Sequence, residues 1–361
     1  MAQTQTQSLP PLSIATSSLN PFPAATEAPH DLSSKLHAIT HAGFRAIELA
    51  FADFLSYVEQ HFGRKVDPQA WDDLSTAARA LRQECKTLQL EIMMLQPFSN
   101  FEGWDPESEE GRSKRENAFA RAKGWIRLMQ DLGTDMLQVG STDAPNIKKD
   151  KAFLAADLAR LADMLAEHNM RLAYENWCWA TFATNWRDVY DLVVAVDRPN
   201  IGLCLDTFQS SGGEWGDPTT ASGHREDVPK HELEDRFQDS MQQLGATLPK
   251  EKIYLLQVSD AYKPPQPLDA SLDGSGLRPR GRWSGAFRPM PGKQGGYLPV
   301  LEVAKAVKRT GFRGWFSIEI FDGGPAGKDR ELGNLDDQAK EIMELSQAFL
   351  TKAMEECDYV V

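Results

Sequence analysis

Cysteine is scarce in this sequence of 361 residues, and its four copies lie far apart. Cys85, Cys178, Cys204 and Cys357 form no C-x-x-C pair, which predicts reduced thiols in a cytoplasmic protein rather than disulfides or a zinc knuckle. The chain also lacks any run of 18 apolar residues, so we expect no membrane span. Residues 1–12 have neither the basic nor the apolar region of a signal peptide, so we expect no export.

Positive charge is in deficit as well. Lys and Arg together number 39 against 52 Asp and Glu, which gives a formal net charge of −13. Nucleic-acid binding needs clustered Lys and Arg to neutralise phosphates, so this balance disfavours a nucleic-acid partner. It does not exclude a small anionic substrate in a local pocket. The hydrophobic content of 41% is typical of a globular protein, and a chain of 361 residues can bury a large core.

Several familiar catalytic motifs are missing. Pro279 stands where the third glycine of a dinucleotide-binding loop would follow Gly274 and Gly276, and Gly292-Lys293 lacks the rest of a phosphate-binding P-loop. The sequence contains no G-x-S-x-G, H-E-x-x-H or EF-hand motif. We therefore expect no dinucleotide chemistry, nucleotide hydrolysis, serine hydrolysis or zincin proteolysis.

Eight predicted strands alternate with eight stretches of helical periodicity. The predicted strands are residues 12–15, 45–50, 90–95, 136–139, 171–174, 201–205, 253–258 and 315–320. The predicted helices are residues 31–42, 68–87, 111–132, 151–168, 186–197, 229–246, 297–309 and 333–355. Such alternation is typical of parallel β-α-β units, and eight units favour an α/β fold of the (β/α)₈ TIM barrel type over an open sheet.

The barrel accounts for most of the chain. We expect a flexible tail in residues 1–10, a single barrel domain in residues 11–355 and a short tail in residues 356–361. Two long loops, residues 209–228 and 260–296, interrupt the rhythm of strands and helices. Both follow strands, so they extend the C-terminal face of the barrel, where barrels of this type place their active sites.

Four consecutive predicted strands end in a side chain with an oxygen donor. Glu175, Asp206, Gln257 and Glu319 follow otherwise apolar strands. In a barrel these side chains would converge at one mouth, where the three carboxylates would repel one another. A divalent cation such as Mg²⁺ or Mn²⁺ would remove that repulsion and prefers such oxygen ligands. A single acidic residue at a strand end often forms only an ion pair, but four in succession predict a metal site.

The sequence around these residues resembles the xylose isomerase-like TIM barrels, in particular the fungal 3-dehydroshikimate dehydratases of quinate catabolism. The most specific stretches are residues 174–179 (YENWCW), 197–209 (DRPNIGLCLDTFQ) and 212–218 (GGEWGDP), and the resemblance covers roughly residues 11–350. It implies that Glu175, Asp206, Gln257 and Glu319 bind a divalent Mg, Mn, Co or Zn ion. It also implies a cyclic hydroxy-keto acid as substrate and protocatechuate as product.

The chemistry implied by this resemblance is a metal-dependent dehydration. A base removes the proton beside a ketone, the metal stabilises the resulting enolate, and the β-hydroxyl leaves as water. Glu175 and Glu319 are the predicted catalytic carboxylates. Glu48, at the end of the second strand, faces the same mouth as an acid–base or hydrogen-bonding group, or else forms an ion pair in the barrel. Gln209 is a further catalytic candidate, because it occupies the position at which some bacterial dehydratases of this type carry a histidine.

Four further residues are predicted to bind the substrate. Arg282 and Arg288 lie in the second long loop and could clamp a carboxylate with two parallel hydrogen bonds, although surface arginines are common. Trp177 flanks the first predicted ligand and serves either as pocket wall or as core. Gln96 belongs to residues 95–98 (LQPF), a stretch that supports the resemblance.

Three alternatives to the dehydratase are open. The first is a sugar or sugar-phosphate isomerase or epimerase on the same metal-binding barrel, but many epimerases of this superfamily place histidine where this chain has Gln257. The second is a barrel that binds a ligand without catalysis, which the complete set of oxygen donors disfavours. The third is an endonuclease-like barrel, which seven histidines and a charge of −13 disfavour. We expect a small-molecule substrate, no nucleic-acid or membrane partner, and compatibility with a homo-oligomer.

Overall fold

A closed barrel of eight parallel strands forms the centre of the molecule. The structure is a computed structural model that describes residues 9–19, 30–327 and 334–355. Neighbouring strands of the barrel follow the order of the chain, and the last strand pairs with the first to close it. The predicted (β/α)₈ fold is therefore confirmed. Most of the predicted N-terminal tail and all of residues 356–361 lie outside the described residues, and the single domain of residues 11–355 stays a prediction.

The barrel is built from strands β1–β7 and β9, and a small antiparallel pair, β8 and β10, lies outside it. The strands are β1 (Leu12–Ala15), β2 (Ala46–Ala50), β3 (Glu91–Phe98), β4 (Met136–Gly140), β5 (Arg171–Glu175), β6 (Ile201–Asp206), β7 (Ile253–Val258), β8 (Phe287–Arg288), β9 (Trp315–Ile318) and β10 (Phe321–Asp322). All barrel pairings are parallel. Side chains at the C-terminal strand ends therefore meet at one mouth.

The helices surround this barrel. They are α1 (Leu32–His41), α2 (Phe51–Phe62), α3 (Trp71–Thr87), α4 (Glu109–Leu132), α5 (Lys151–Ala166), α6 (Trp186–Val196), α7 (Thr207–Glu214), α8 (Lys230–Thr247), α9 (Pro279–Ala286), α10 (Val300–Arg309) and α11 (Leu335–Glu355). Within the described ranges, no helix has both the length and the apolar character of a membrane span.

Local signals determine where many of these helices begin and end. The side chain of Asp31 accepts a hydrogen bond from the Ser34 N–H at the start of α1, and Ser108 does the same for the Gly111 N–H at the start of α4. These contacts satisfy N–H groups that have no partner inside the helix. Gly133 ends α4 in the left-handed conformation, with φ of 79°, which glycine adopts without strain.

Three helices were absent from the sequence prediction. Helix α2 follows β2 directly, with no breaker residue between them, so the prediction left residues 51–62 without an assigned element. Helices α7 and α9 lie within or across the two segments predicted as long loops, and each has only eight residues. Such short segments contain too few turns to show clear periodicity. The extensions of the C-terminal face are thus partly helical rather than loops throughout.

The inside of the barrel has two layers of opposite character. The lower layer, here called the floor cluster, is a small apolar core distinct from the one between the strands and the helices. The floor cluster consists of Ala46, Met93, Met94, Met136, Ala173, Cys204 and Leu255. Because successive side chains of a strand alternate between its two faces, the residue two positions after a floor residue also faces inward. On six strands that residue is polar, when it is counted from Met94 on β3, where the register shifts by one residue.

These polar residues, together with one from β9's C-terminal end, form the upper layer at the mouth, here called the polar ring. The polar ring consists of Glu48, Gln96, Gln138, Glu175, Asp206, Gln257 and Glu319. Every one of these side chains is buried. Hydrogen bonds cross the barrel from Gln96 to Glu319 and from Gln257 to Glu48, which shows that the side chains point into it. Seven of the eight barrel strands therefore contribute a polar group to one buried layer.

Candidate metal centre

Three carboxylates meet inside the polar ring. Glu175 at the end of β5, Asp206 at the end of β6 and Glu319 directly after β9 each place one oxygen within 4.8 Å of the others. Gln257 on β7 is the register partner of Asp206 and completes the set. The structure thus brings together the four residues that the sequence singled out, while their binding of a metal stays a prediction.

In two of these four residues, one side-chain oxygen accepts no hydrogen bond from the described part of the chain. Glu175 Oε2 accepts hydrogen bonds from Gln138 Nε2 and, at 3.3 Å, from Trp177 Nε1. Gln257 Nε2 donates to Glu48 Oε2 at 2.8 Å. Among the described residues, Glu175 Oε1 and Gln257 Oε1 are buried and find no partner. An unpartnered buried oxygen is costly, and a bound cation would satisfy both. The donor set therefore fits a divalent metal ion.

The pKa values of the carboxyl groups in the polar ring also favour a bound cation. Burial and the repulsion from Glu319 and Asp206 raise the pKa of Glu175 well above its ordinary value. Burial likewise raises the pKa of Asp206 and of Glu319. Burial and the charge of Glu319 raise the pKa of Glu48 to about 8. Negative charge is thus unfavourable at this position, and a divalent cation would reverse that preference.

Arg288 brings a positive charge into direct contact with the ring. Its Nη2 donates to Asp206 Oδ2 at 2.5 Å, and its Nη1 lies 3.1 Å from Glu319 Oε2. Nε donates to Ser259 Oγ at 3.0 Å and Nη1 to Ser284 Oγ at 3.2 Å. The side chain is 1% exposed. The sequence prediction that Arg288 clamps the substrate stays a prediction, and its guanidinium is already engaged by protein groups.

Gln96 and Trp177 lie beside the ligand set. Gln96 Nε2 donates to Glu319 Oε1 at 3.0 Å, so it orients that carboxylate. The Trp177 indole stacks on Trp179 with ring centroids 5.1 Å apart. A Cβ at Gly140 would overlap the Trp177 ring, so the absence of a side chain there gives the indole its place. Both residues border the mouth, and their contact with substrate stays a prediction.

Gln209 and Arg282 are placed differently. The side-chain oxygen of Gln209 accepts a hydrogen bond from the Cys178 N–H at 2.9 Å, so it supports the segment after Glu175. The Gln209 N–H donates to Asp206 Oδ1 at 3.0 Å. The guanidinium of Arg282 donates to the Asp269 carbonyl, and no described hydrogen bond or ion pair connects it with the polar ring. The structure therefore does not bring Arg282 to the centre.

Sequence reasoning missed Gln138, which contacts Glu175. Gln138 is the one polar side chain in β4 and lies in the middle of that strand, whereas Glu175 and Asp206 are the last residues of theirs. A lone polar side chain in an otherwise apolar strand was the available signal. Ser259 and Ser284 were also missed, because a serine in a loop or a short helix carries no pattern that would reveal its contact with Arg288.

Glu102 contacts the strand that carries Glu175. Its carboxylate accepts hydrogen bonds from the Tyr174 hydroxyl at 2.9 Å and from the Thr142 N–H at 2.8 Å. Because Tyr174 directly precedes Glu175, these bonds help to fix the end of β5. Burial raises the pKa of Glu102. Residues 101–103 (FEG) support the family resemblance, but the sequence did not indicate the contact of Glu102 with Tyr174.

Comparisons with known proteins agree with this geometry. A family model described as xylose isomerase-like TIM barrel matches residues 36–352. A Neurospora crassa protein named 3-dehydroshikimate dehydratase is 33% identical over 309 residues, which cover 82% of this chain and 82% of that protein. A Pseudomonas aeruginosa protein of the same name is 32% identical over 81% of this chain. This chain spans about a third of the length of that relative, since the match covers 36% of it.

The fold is also found among solved structures. A protein described as a xylose isomerase-like TIM barrel/4-hydroxyphenylpyruvate dioxygenase fusion superposes with a TM-score of 0.69 and 24% identity. The match covers 98% of this chain and 45% of the fusion protein, so this chain spans slightly less than half of it. At this identity the superposition supports the barrel fold and nothing more specific.

Proposed function

This chain belongs to the xylose isomerase-like TIM barrel family, and we propose that it is a metal-dependent 3-dehydroshikimate dehydratase, a carbon–oxygen lyase. The relatives from Neurospora crassa and Pseudomonas aeruginosa carry that name. The observation that carries the proposal is the set of three converging carboxylates at the barrel mouth. Beside them, two buried oxygens, Glu175 Oε1 and the amide oxygen Gln257 Oε1, find no partner among the described residues. The relatives favour dehydration over the isomerase alternative.

The reaction converts the substrate into protocatechuate and one molecule of water. A base takes the proton from the carbon beside the ketone, and the resulting enolate expels the hydroxyl from the β-carbon. That hydroxyl gains a proton as it leaves, so water is released. A proton then moves from a ring carbon to the ketone oxygen, which turns the ring into a catechol. Aromatisation makes the overall reaction favourable, and no oxidant or reductant is required.

Glu175, Asp206, Gln257 and Glu319 would hold the metal ion. Carboxylate and amide oxygens suit hard cations, so Mg²⁺ and Mn²⁺ are the first choices, with Co²⁺ and Zn²⁺ as further candidates. A divalent cation at this position supplies Lewis-acid chemistry at the ketone oxygen. Gln138, Gln96 and Trp177 each donate a hydrogen bond to Glu175 or Glu319, so they determine which oxygens face the centre.

Glu48 is the carboxyl group of the polar ring that lies outside the ligand set. Its Oε2 accepts from Gln257, and its Oε1 is buried and finds no partner within the described part of the chain. Glu48 is thus the candidate for proton transfer at the ring carbon, and Glu175 and Glu319 are the alternatives on other strands. Gln209 acts indirectly, because its side chain holds the Cys178 backbone.

We propose the cytoplasm as the place of action. Cys85, Cys178 and Cys204 are free and buried, as expected of reduced thiols. The substrate is a small cyclic hydroxy-keto acid. The net charge of −13 speaks against a nucleic-acid partner.

The proposal is tested by incubating chelator-treated protein with Mg²⁺, Mn²⁺, Co²⁺ or Zn²⁺ and 3-dehydroshikimate. We expect an increase in the ultraviolet absorption of a catechol with at least one metal and none without metal. A parallel assay supplies ketoses and their phosphates and separates the products by chromatography. Turnover of a ketose with no catechol from 3-dehydroshikimate would replace the dehydratase with the isomerase alternative.

A further inference from the structure

We propose that Arg288 is a positioning residue, a fixed internal cation that holds Asp206 and Glu319 in place and offsets their charge before a metal binds. The inference rests on the metal-binding part of the proposed function and is independent of which substrate the enzyme converts. It assigns Arg288 a different role from that of a substrate clamp.

The Arg288 side chain is anchored by several elements. Its backbone belongs to β8, where Arg288 is the register partner of Phe321 on β10. Its guanidinium carbon lies 4.8 Å from the Phe208 ring centroid and 5.4 Å from that of Phe321. Ser259 and Ser284 accept hydrogen bonds from it. A side chain held by two aromatic rings and two hydroxyl groups has little freedom to move toward a ligand.

Arg288 faces a group of buried carboxylates in the polar ring. Four carboxyl groups of the polar ring, on Glu48, Glu175, Asp206 and Glu319, are buried together. Among the described residues, the ion pairs of this group are those from Arg288 to Asp206 and Glu319. Breaking one side of a buried ion pair leaves an uncompensated charge, which strongly destabilises a folded protein. Arg288 therefore provides the positive charge that allows the ring to form without a metal.

The donors of Arg288 leave little room for a bidentate clamp. Nε donates to Ser259, Nη1 to Ser284 and Nη2 to Asp206, and Nη1 also pairs with Glu319. A bidentate contact with a substrate carboxylate needs two neighbouring N–H groups pointing the same way. Each nitrogen already has a protein partner, so such a contact would have to displace at least one. The geometry favours a role in holding the ligands.

The test compares Arg288→Met, Arg288→Lys, Glu319→Gln and the double variant Arg288→Met/Glu319→Gln. Each protein is treated with chelator, and its thermal midpoint is measured without metal and with saturating Mn²⁺. For Arg288→Met we expect the metal-free midpoint to fall by about 5 °C or more. The rise on adding Mn²⁺ should then exceed that of the wild type, because the cation replaces the missing charge. The metal-free midpoint of Arg288→Lys should lie between those of the wild type and Arg288→Met, since lysine keeps the charge but cannot span two carboxylates with a planar fork.

The double variant separates charge from packing. Glu319→Gln removes one carboxylate that Arg288 offsets, so in the Arg288→Met background it should recover part of the lost metal-free midpoint. If Arg288→Met alone does not fold, a folded double variant supports the proposal and an unfolded one overturns it. Arg282→Met is the matched control, since its guanidinium makes no described contact with the ring, and its midpoints should shift by under about 2 °C.

Two results would overturn the proposal. An unchanged metal-free midpoint in Arg288→Met, with only KM for the substrate raised, would make Arg288 a substrate clamp. Equal losses with and without Mn²⁺, with no recovery in the double variant, would make it an ordinary packing residue. The thermal midpoints do not depend on turnover, so failure of the 3-dehydroshikimate assay would leave that part of the test intact.

Discussion

The floor cluster and the polar ring occupy the same strands, two residues apart, and have opposite chemical character. The floor cluster buries Met94, Met136 and Leu255 against small residues, whereas the next inward position on the same three strands is Gln96, Gln138 or Gln257. Burial of apolar groups stabilises the fold, and burial of charged groups costs stability unless a partner compensates. The floor cluster therefore stabilises the barrel, whereas the polar ring buries groups that need a compensating charge.

The variant with the largest expected effect is Glu319→Gln, which tests whether the polar ring binds a metal. The change keeps the size of the side chain and removes one negative charge from the ligand set. We expect kcat to fall by about 1,000-fold or more, because a weakly held metal cannot stabilise the developing enolate. Metal content after dialysis should fall with it, as measured by elemental analysis, while the circular dichroism spectrum of a folded barrel is retained.

Glu110→Gln is the matched control for that variant. Glu110 is exposed on α4, and the same chemical change there should leave kcat and metal content unchanged. If Glu319→Gln kept both near the wild-type level, the ring would not be a metal site. The contrast between floor and mouth would then have no functional meaning.

Leu255→Ala in the floor cluster should produce the opposite pattern. Removing most of this fully buried side chain leaves a cavity, and we expect the free energy of unfolding to fall by about 2–5 kcal/mol. Metal affinity per folded molecule should stay within tenfold of the wild type, as measured by calorimetric titration. Val194→Ala, at a side chain that is 57% exposed, is the control and should change the free energy of unfolding little. A large loss of metal affinity in Leu255→Ala would show that the two layers are not separable.

The contrast also explains what the sequence could predict. Alternation of strands and helices predicted the barrel, and the strand-end residues Glu175, Asp206, Gln257 and Glu319 predicted one mouth, because parallel strands present their C-terminal ends together. These inferences depend on local pattern and on a topology with few alternatives. The structure places the four side chains in one buried layer, as the pattern indicated.

Contacts made by irregular segments could not be predicted in the same way. Arg282 and Arg288 lie six residues apart within one predicted loop and were interpreted alike, yet Arg288 contacts Asp206 and Glu319, whereas no described hydrogen bond or ion pair joins Arg282 to the polar ring. Their difference arises from α9, β8 and the pairing of β8 with β10, none of which shows a periodic pattern. Gln138 is the one polar residue of an apolar strand, but it lies in the middle of β4 rather than at its end, and a lone amide suggests no charge to be neutralised.

The smallest expected effect concerns that residue. Gln138→Leu removes the N–H donor to Glu175 Oε2 while keeping a side chain of similar size in the polar ring. We expect the affinity for Mn²⁺ to weaken by about 10–100-fold, because partners that orient a ligand contribute that much at metal sites. Gln83→Leu, on the exposed face of α3, is the control and should leave calorimetric titrations unchanged. If Gln138→Leu bound Mn²⁺ like the wild type, the ligand carboxylates would be oriented without it. Metal binding would then depend on the carboxylates of the polar ring and on Gln257 alone. The polar ring would differ in function from the floor cluster through its charged groups, not through its neutral amides.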